Sequence, residues 1–192
     1  MKKAITFLLL LSINLLVAQH KKDINLIDLD STWGKEIFPF PLSFAQNINY
    51  QGIEEARFPP KGWSDATHPN FWSYTFVWKI DKRQDITTNI LEDNLQKYFD
   101  GLMRINTTEE LKHYKTVALF IKKKHNSFTG KIKTYDRFTT KKQLILNVLV
   151  ENHFCKKQQK SILLFKFSPK DFTHPTWKML EEIELTSNSC DE

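Results

Sequence analysis

The segment Phe71-Trp72-Ser73-Tyr74-Thr75-Phe76-Val77-Trp78-Lys79-Ile80 decides the fold class. Its side chains alternate between two faces, as a half-buried strand requires. Trp72, Tyr74, Phe76 and Trp78 share one face, and Phe71, Ser73, Thr75 and Val77 share the other. So large an aromatic row needs a cover, and the chain supplies one at once. After a polar turn at 81–85, Thr88 or Asn89 opens a helix in which Leu91, Leu95, Tyr98, Phe99 and Leu102 recur at helical spacing.

Outward from this strand and helix, further strands are expected. Residues 49–58 form one before the aromatic strand, ended by Pro59-Pro60-Lys61-Gly62. Four more follow at 116–122, 128–138, 143–154 and 161–167. In the first of these Val117, Leu119 and Ile121 are expected inward; in the second, Phe128, Ile132 and Phe138. Ser168-Pro169 stops the last strand. Asp171 or Thr173 then caps a final helix with Trp177, Leu180 and Ile183 inward. The order β-β-α-β-β-β-β-α predicts an α+β domain, an antiparallel sheet of about six strands covered by two main helices. Phe38-Pro39-Phe40-Pro41-Leu42-Ser43-Phe44, with its alternating Phe and Pro, lacks the donors of a full ladder and is expected as an extended arm whose aromatics plug the core.

This element order is similar to the α/β/α sandwich of PsbP-type proteins across most of the chain beyond residue 18. The runs Phe-Pro-Phe-Pro-Leu (38–42), Phe-Trp-Ser-Tyr (71–74) and Tyr-Phe-Asp-Gly-Leu-Met (98–103) also resemble those of an uncharacterised family of small secreted bacterial proteins. The first resemblance implies a PsbP-like sandwich serving assembly and interaction; the second brings no activity with it.

Met1-Lys2-Lys3, the apolar run Ala4 to Val17 and the small Ala18 have the layout of a secretory signal peptide. The expected organisation is a signal peptide at 1–18, an extended N-terminal arm at 19–48 and a single α+β domain at 49–192. The expected location is periplasmic or extracellular, with no lipoprotein anchor because no cysteine lies near the exit. No later segment is long and apolar enough to span a bilayer. An oxidising compartment favours a bridge between Cys155 and Cys190, the chain's two cysteines.

A hydrophobic share of 41% excludes a wholly disordered chain. With 5 glycines, all scattered, there is no phosphate-cradling loop. Gly-x-Ser-x-Gly, His-Glu-x-x-His and Cys-x-x-Cys are also missing. No catalytic residue, cofactor or metal site is therefore assigned. Thr67-His68-Pro69 and Thr173-His174-Pro175 are read as caps rather than ligands, with threonine as the capping group. The acidic pairs Glu54-Glu55, Glu92-Asp93, Glu109-Glu110 and Glu181-Glu182 are read as surface.

Two features remain. Between positions 121 and 160, 11 lysines and arginines outweigh Asp136 and Glu151 within a chain of net charge +6. Lys131, Lys133 and Arg137 are expected on one wet strand face, with Lys122 and Lys124 at a hairpin end. Together they are a candidate surface for an anionic envelope component; nucleic acid is not expected for an exported chain. The second feature is the row Trp72, Tyr74, Phe76 and Trp78, a candidate cleft for a sugar or an apolar ligand, with Trp33 and Trp63 near it in sequence. The leading expectation is a non-enzymatic module that binds an envelope component or a protein. The alternative is a small hydrolase with its site near the Trp72–Trp78 strand.

Overall fold

A computed structural model describes residues 24–81, 85–105, 109, 111–124 and 126–190. The expected signal peptide lies outside the described residues. No helix among the described residues is long and apolar enough to cross a membrane.

One antiparallel sheet of seven strands organises the chain: β1 (Gly34–Phe40), β2 (Gly52–Phe58), β3 (Tyr74–Ile80), β4 (Val117–Lys122), β5 (Ser127–Asp136), β6 (Lys142–Cys155) and β7 (Lys160–Ser168). Their spatial order is β1-β2-β3-β7-β6-β5-β4. Helix α1 (Thr88–Leu102) follows β3, and α2 (Pro175–Glu181) follows β7. Two helices on an antiparallel sheet make this an α+β fold.

The sheet has one strand more than expected. The Phe-Pro arm is itself β1, pairing Pro39 with Ile53 and Phe38 with Glu54. It sits at the sheet edge, where a proline's missing N–H forfeits little.

The two faces of the sheet differ. On the α1 face Phe76, Trp78, Phe165, Phe167, Val148, Val150 and Ile132 form the larger core with Leu91, Leu95 and Phe99 of α1. On the other face Val77, Ile162 and Leu164 pack against Trp177 and Leu180 of α2, with Leu26 and Ile27 of the lead-in beside them. That second face is also fastened by buried ions. Glu55 accepts from Arg57 Nε at 2.7 Å and from the Leu26 amide at 2.6 Å. Lys166 reaches Glu151 at 3.1 Å and the Glu181 carbonyl at 3.2 Å, placing a cation at the C-terminal end of α2. Lys79 donates to the Ser189 carbonyl at 2.8 Å. Next to it the Cys155–Cys190 disulfide, with Cα atoms 5.2 Å apart, ties the tail to the end of β6.

Three expectations about side-chain direction are corrected. On β4, Val117, Leu119 and Ile121 face solvent, while Ala118 and Phe120 face inward. The run Val-Ala-Leu-Phe-Ile is apolar on both faces, so alternation gives no direction. Packing decides it: Phe120 lies over Gly130, where an added Cβ would stand 2.5 Å from its ring. Strand β5 stops at Asp136 rather than Phe138, because Asp136 accepts from the amides of Phe138 (3.0 Å), Thr139 (3.1 Å) and Thr140 (2.7 Å) and curls the chain. Phe138 is consequently exposed at the mouth of the site described next. Glu54 and Glu55, read as surface, are both fully buried.

Candidate functional site

The aromatic row divides into two jobs. Phe76 and Trp78 are core, stacked 5.6 Å apart beneath α1. Trp72 and Tyr74 instead line a cavity of about 420 Å³ between β1, β2, β3 and the end of α1. Its remaining wall is Phe38, Phe44, Ala56, Phe58, Trp63, Tyr98, Leu102 and Phe138, with Glu36 and Glu54 as the carboxyl groups.

Local structure explains each placement. Strand alternation puts Glu36 and Phe38 of β1, and Glu54, Ala56 and Phe58 of β2, on the α1 face. Gly101, in the last turn of α1, lets the 43–45 backbone pass: a Cβ there would meet the Phe44 carbonyl oxygen at 1.8 Å. That close approach seats the Phe44 ring 5.1 Å from Tyr98. Trp72 precedes β3 rather than belonging to it. Its φ of 50° lies in the left-handed region, which for a bulky residue costs on the order of 1–3 kcal/mol. Packing against Trp63 at 5.0 Å and Phe138 at 6.0 Å holds it there.

Glu54 is the polar group of the floor. Trp78 Nε1 donates to one carboxyl oxygen at 2.7 Å and the Tyr98 hydroxyl to the other at 2.8 Å. Burial pushes its pKa up to about 7, although these two donors oppose the rise. Burial, reinforced by the Glu54 charge, also drives the Tyr74 and Tyr98 hydroxyls well above their ordinary value. Both phenols are therefore neutral throughout the physiological range. The Tyr74 hydroxyl and Trp63 Nε1, on wall residues, are buried without a hydrogen-bond partner among the described residues. Each such group carries an unmet cost of about 1–3 kcal/mol.

The basic residues do not form one surface. Lys131 and Lys133 are exposed on the face of β5 opposite α1. Arg137 lies beyond the strand, in the turn that Asp136 shapes, with its guanidinium 5.8 Å from the Phe138 ring centre. Lys122 falls on the α1 side of β4, paired with inward Phe128. Lys124 belongs to the β4–β5 turn. What accompanies Lys131 and Lys133 is mostly apolar: Lys131 lies between Leu119 and Asn147, and Lys133 lies between Val117 and Ile145. Leu119 and Ile121 are 64% and 65% exposed, and α2 packs on β7 rather than here.

The two Thr-His-Pro motifs meet in space, and histidine rather than threonine does the capping. His68 Nδ1 accepts from the Asn70 amide at 3.0 Å, and His174 Nδ1 accepts from the Thr176 amide as the N-cap of α2. Thr176 Oγ1 then donates to the Pro69 carbonyl at 3.3 Å. His153 lies 3.6 Å from Glu151, and Cys155 is occupied by its disulfide. Of the cavity residues, sequence reasoning found Trp72 and Tyr74; of the two further tryptophans it noted, Trp63 lines the cavity and Trp33 packs on the other face of the sheet. It missed Glu36 and read Glu54 as surface; the only signal for either was the strand alternation of β1 and β2.

Comparison of the chain with protein-family models, with curated proteins and with solved structures finds no match.

Proposed function

We propose that the chain is an exported, non-enzymatic binding protein that holds a small, largely apolar molecule in the cavity beside β3. The observation that carries this reading is the cavity itself. Its 420 Å³ falls in the range of small-molecule sites, roughly 300–1,000 Å³. Its walls are mostly rings, and its polar groups are few. Strain at Trp72 and unpartnered polar atoms on Tyr74 and Trp63 are features that functional sites retain and pure packing does not favour.

The test is direct. Ligand released by denaturing the purified protein is identified by mass spectrometry, and rebinding is followed through Trp63 and Trp72 fluorescence. Ala56→Phe fills the cavity from β2 and should abolish rebinding while the fold persists. Rebinding unchanged by Ala56→Phe overturns the reading. A small hydrolase is the competing use of the same cavity, and turnover abolished by Glu54→Gln would replace binding with catalysis.

A second reading is favoured by a separate observation, the exposed apolar residues around Lys131 and Lys133. This face suits an anionic lipid surface: Leu119, Ile121 and Ile145 enter the headgroup boundary while the two lysines meet phosphates. A second copy of the chain would set like charges against each other. Vesicle flotation tests the idea: binding to phosphatidylglycerol vesicles and not to phosphatidylcholine supports it, and equal binding overturns it.

A further inference from the structure

We infer that the cavity's ligand is a small organic cation, an ammonium group on an apolar body, received by Glu36 and Glu54 among the surrounding rings. This rests on the reading of the cavity as a binding site and names the class of molecule that fits it.

The charge inventory is one-sided. The ionisable wall residues are Glu36, Glu54, Tyr74 and Tyr98; no lysine, arginine or histidine is among them. Arg57, between the wall residues Ala56 and Phe58, faces the other side of the sheet and pairs with Glu55, and Arg137 stands over the exposed Phe138 ring at the mouth and lines the neighbouring depression with Asp100 and Arg104. An anionic ligand would meet two carboxyl groups and no cation on the wall itself. A neutral apolar ligand would leave Glu54 as it is, a buried carboxyl with two neutral donors and no ion-pair partner among the described residues. Buried carboxylates in proteins are ordinarily paired, and the adjacent Glu55 is, with Arg57. The missing partner of Glu54 is a cation, and the open volume beside it is where that cation would come from.

The kind of cation follows from the walls. A hard metal ion asks for six or more oxygen ligands, and a box of hydrocarbon rings does not supply them. An ammonium is attracted to ring faces by their quadrupole, most strongly where water is excluded. Eight of the twelve wall residues are aromatic. Glu36, exposed on the edge strand and diagonal to Glu54 across the β1–β2 pair, adds a carboxylate at the rim.

The experiment compares phenyltrimethylammonium with tert-butylbenzene, the same shape with carbon in place of the charged nitrogen. Wild-type protein should bind the cation at least about tenfold more tightly. Glu54→Gln, which keeps the size of the side chain, should bring the two affinities to within about threefold of each other. Glu36→Gln, exposed and outside the core, should reduce the preference in a variant whose folding is not at issue. Affinity for the cation should also rise between about pH 5.5 and about pH 8.5, as Glu54 ionises beside neutral Tyr74 and Tyr98. Equal affinity of wild type for both probes overturns the cation and leaves the cavity a binding site. Binding of neither probe overturns both. A cation preference untouched by either glutamine variant also overturns the assignment to these carboxyls.

Discussion

Glu54 and Glu55 are consecutive on β2, both fully buried, and face opposite sides of the sheet with opposite consequences. Glu55 receives the Arg57 guanidinium at 2.7 Å and becomes part of the fastening under the lead-in. Glu54 receives only an indole N–H and a phenol, and opens on the cavity. Neighbouring positions on one strand thus hold a carboxyl paired with a cation and a carboxyl met by neutral donors at a cavity wall.

The first prediction concerns the stability of the ligand-free protein against pH. Glu54 has its pKa raised from 4.5 to about 7 in the folded state. Between those values the folded chain holds a proton that the unfolded chain has released, so stability falls as pH rises through this window. The full effect is on the order of 3 kcal/mol above pH 7. Glu54→Gln should flatten the decline, measured by urea denaturation across the window. An identical slope in wild type and variant would refute the assignment. Glu151 titrates elsewhere: His153 first, and then Lys166 working against burial, hold it at about 2. Its contribution is complete above 4.5 and is lost only as pH falls toward 2.

The second prediction tests Glu55. Arg57→Met leaves a buried carboxylate without its cation and should cost about 3–5 kcal/mol. Arg57→Met combined with Glu55→Gln should cost clearly less than the single change, because no unpaired charge remains. A double variant as unstable as the single one would mean that packing, not charge, sets the loss.

How much of this was readable from residues depends on whether the two faces of an element differ in polarity. Strand β3 and helix α1 have one aromatic or apolar face each, and both were readable. The Cys155–Cys190 bridge followed from compartment and count. Strand β4 carries apolar residues on both faces, and only its contact with α1 and Gly130 chooses between them. Strand β2, read Ile-Glu-Glu-Ala-Arg-Phe at 53–58, has a charge on each face and looks like a surface strand. Its burial comes from long-range partners: Arg57 and Leu26 on one side, Trp78 and Tyr98 on the other. The cavity was half readable for the same reason, its aromatics visible and its carboxyls not.

The third prediction concerns the disulfide. Cys155 and Cys190 close a separation of 35 residues, which by loop-closure entropy is worth roughly 3–4 kcal/mol. Cys155→Ala with Cys190→Ala should lower stability by about that amount and free the tail, so that Lys79 loses its Ser189 acceptor. Limited proteolysis should then cut near the C-terminus first. Equal midpoints for oxidised and reduced wild-type protein would show that the tail is held without the bridge.

The fourth prediction concerns the outer face of β4, β5 and β6. Strand β4 is a sheet edge, and the Phe120 amide is met by Glu92 of α1 at 2.9 Å, a contact that blunts the edge against another strand. The exposed apolar residues point away from that edge, onto the face where Lys131 and Lys133 stand. If the face rests on anionic lipid, its two components should separate by salt. Lys131→Ser with Lys133→Ser should weaken binding to phosphatidylglycerol vesicles by about 2 kcal/mol at low ionic strength, at about 1 kcal/mol per lysine. The difference should shrink as salt shortens the Debye length below about 8 Å. Leu119→Ser with Ile121→Ser should weaken binding at every salt concentration, because the burial of apolar side chains is not screened. Both variants should keep wild-type stability within about 0.5 kcal/mol per site, since neither pair is buried. Loss of binding in the lysine variant alone would reduce the face to a charged surface with no insertion. Retention in both variants would leave the lysines as protection of a sheet that has nothing to dock against.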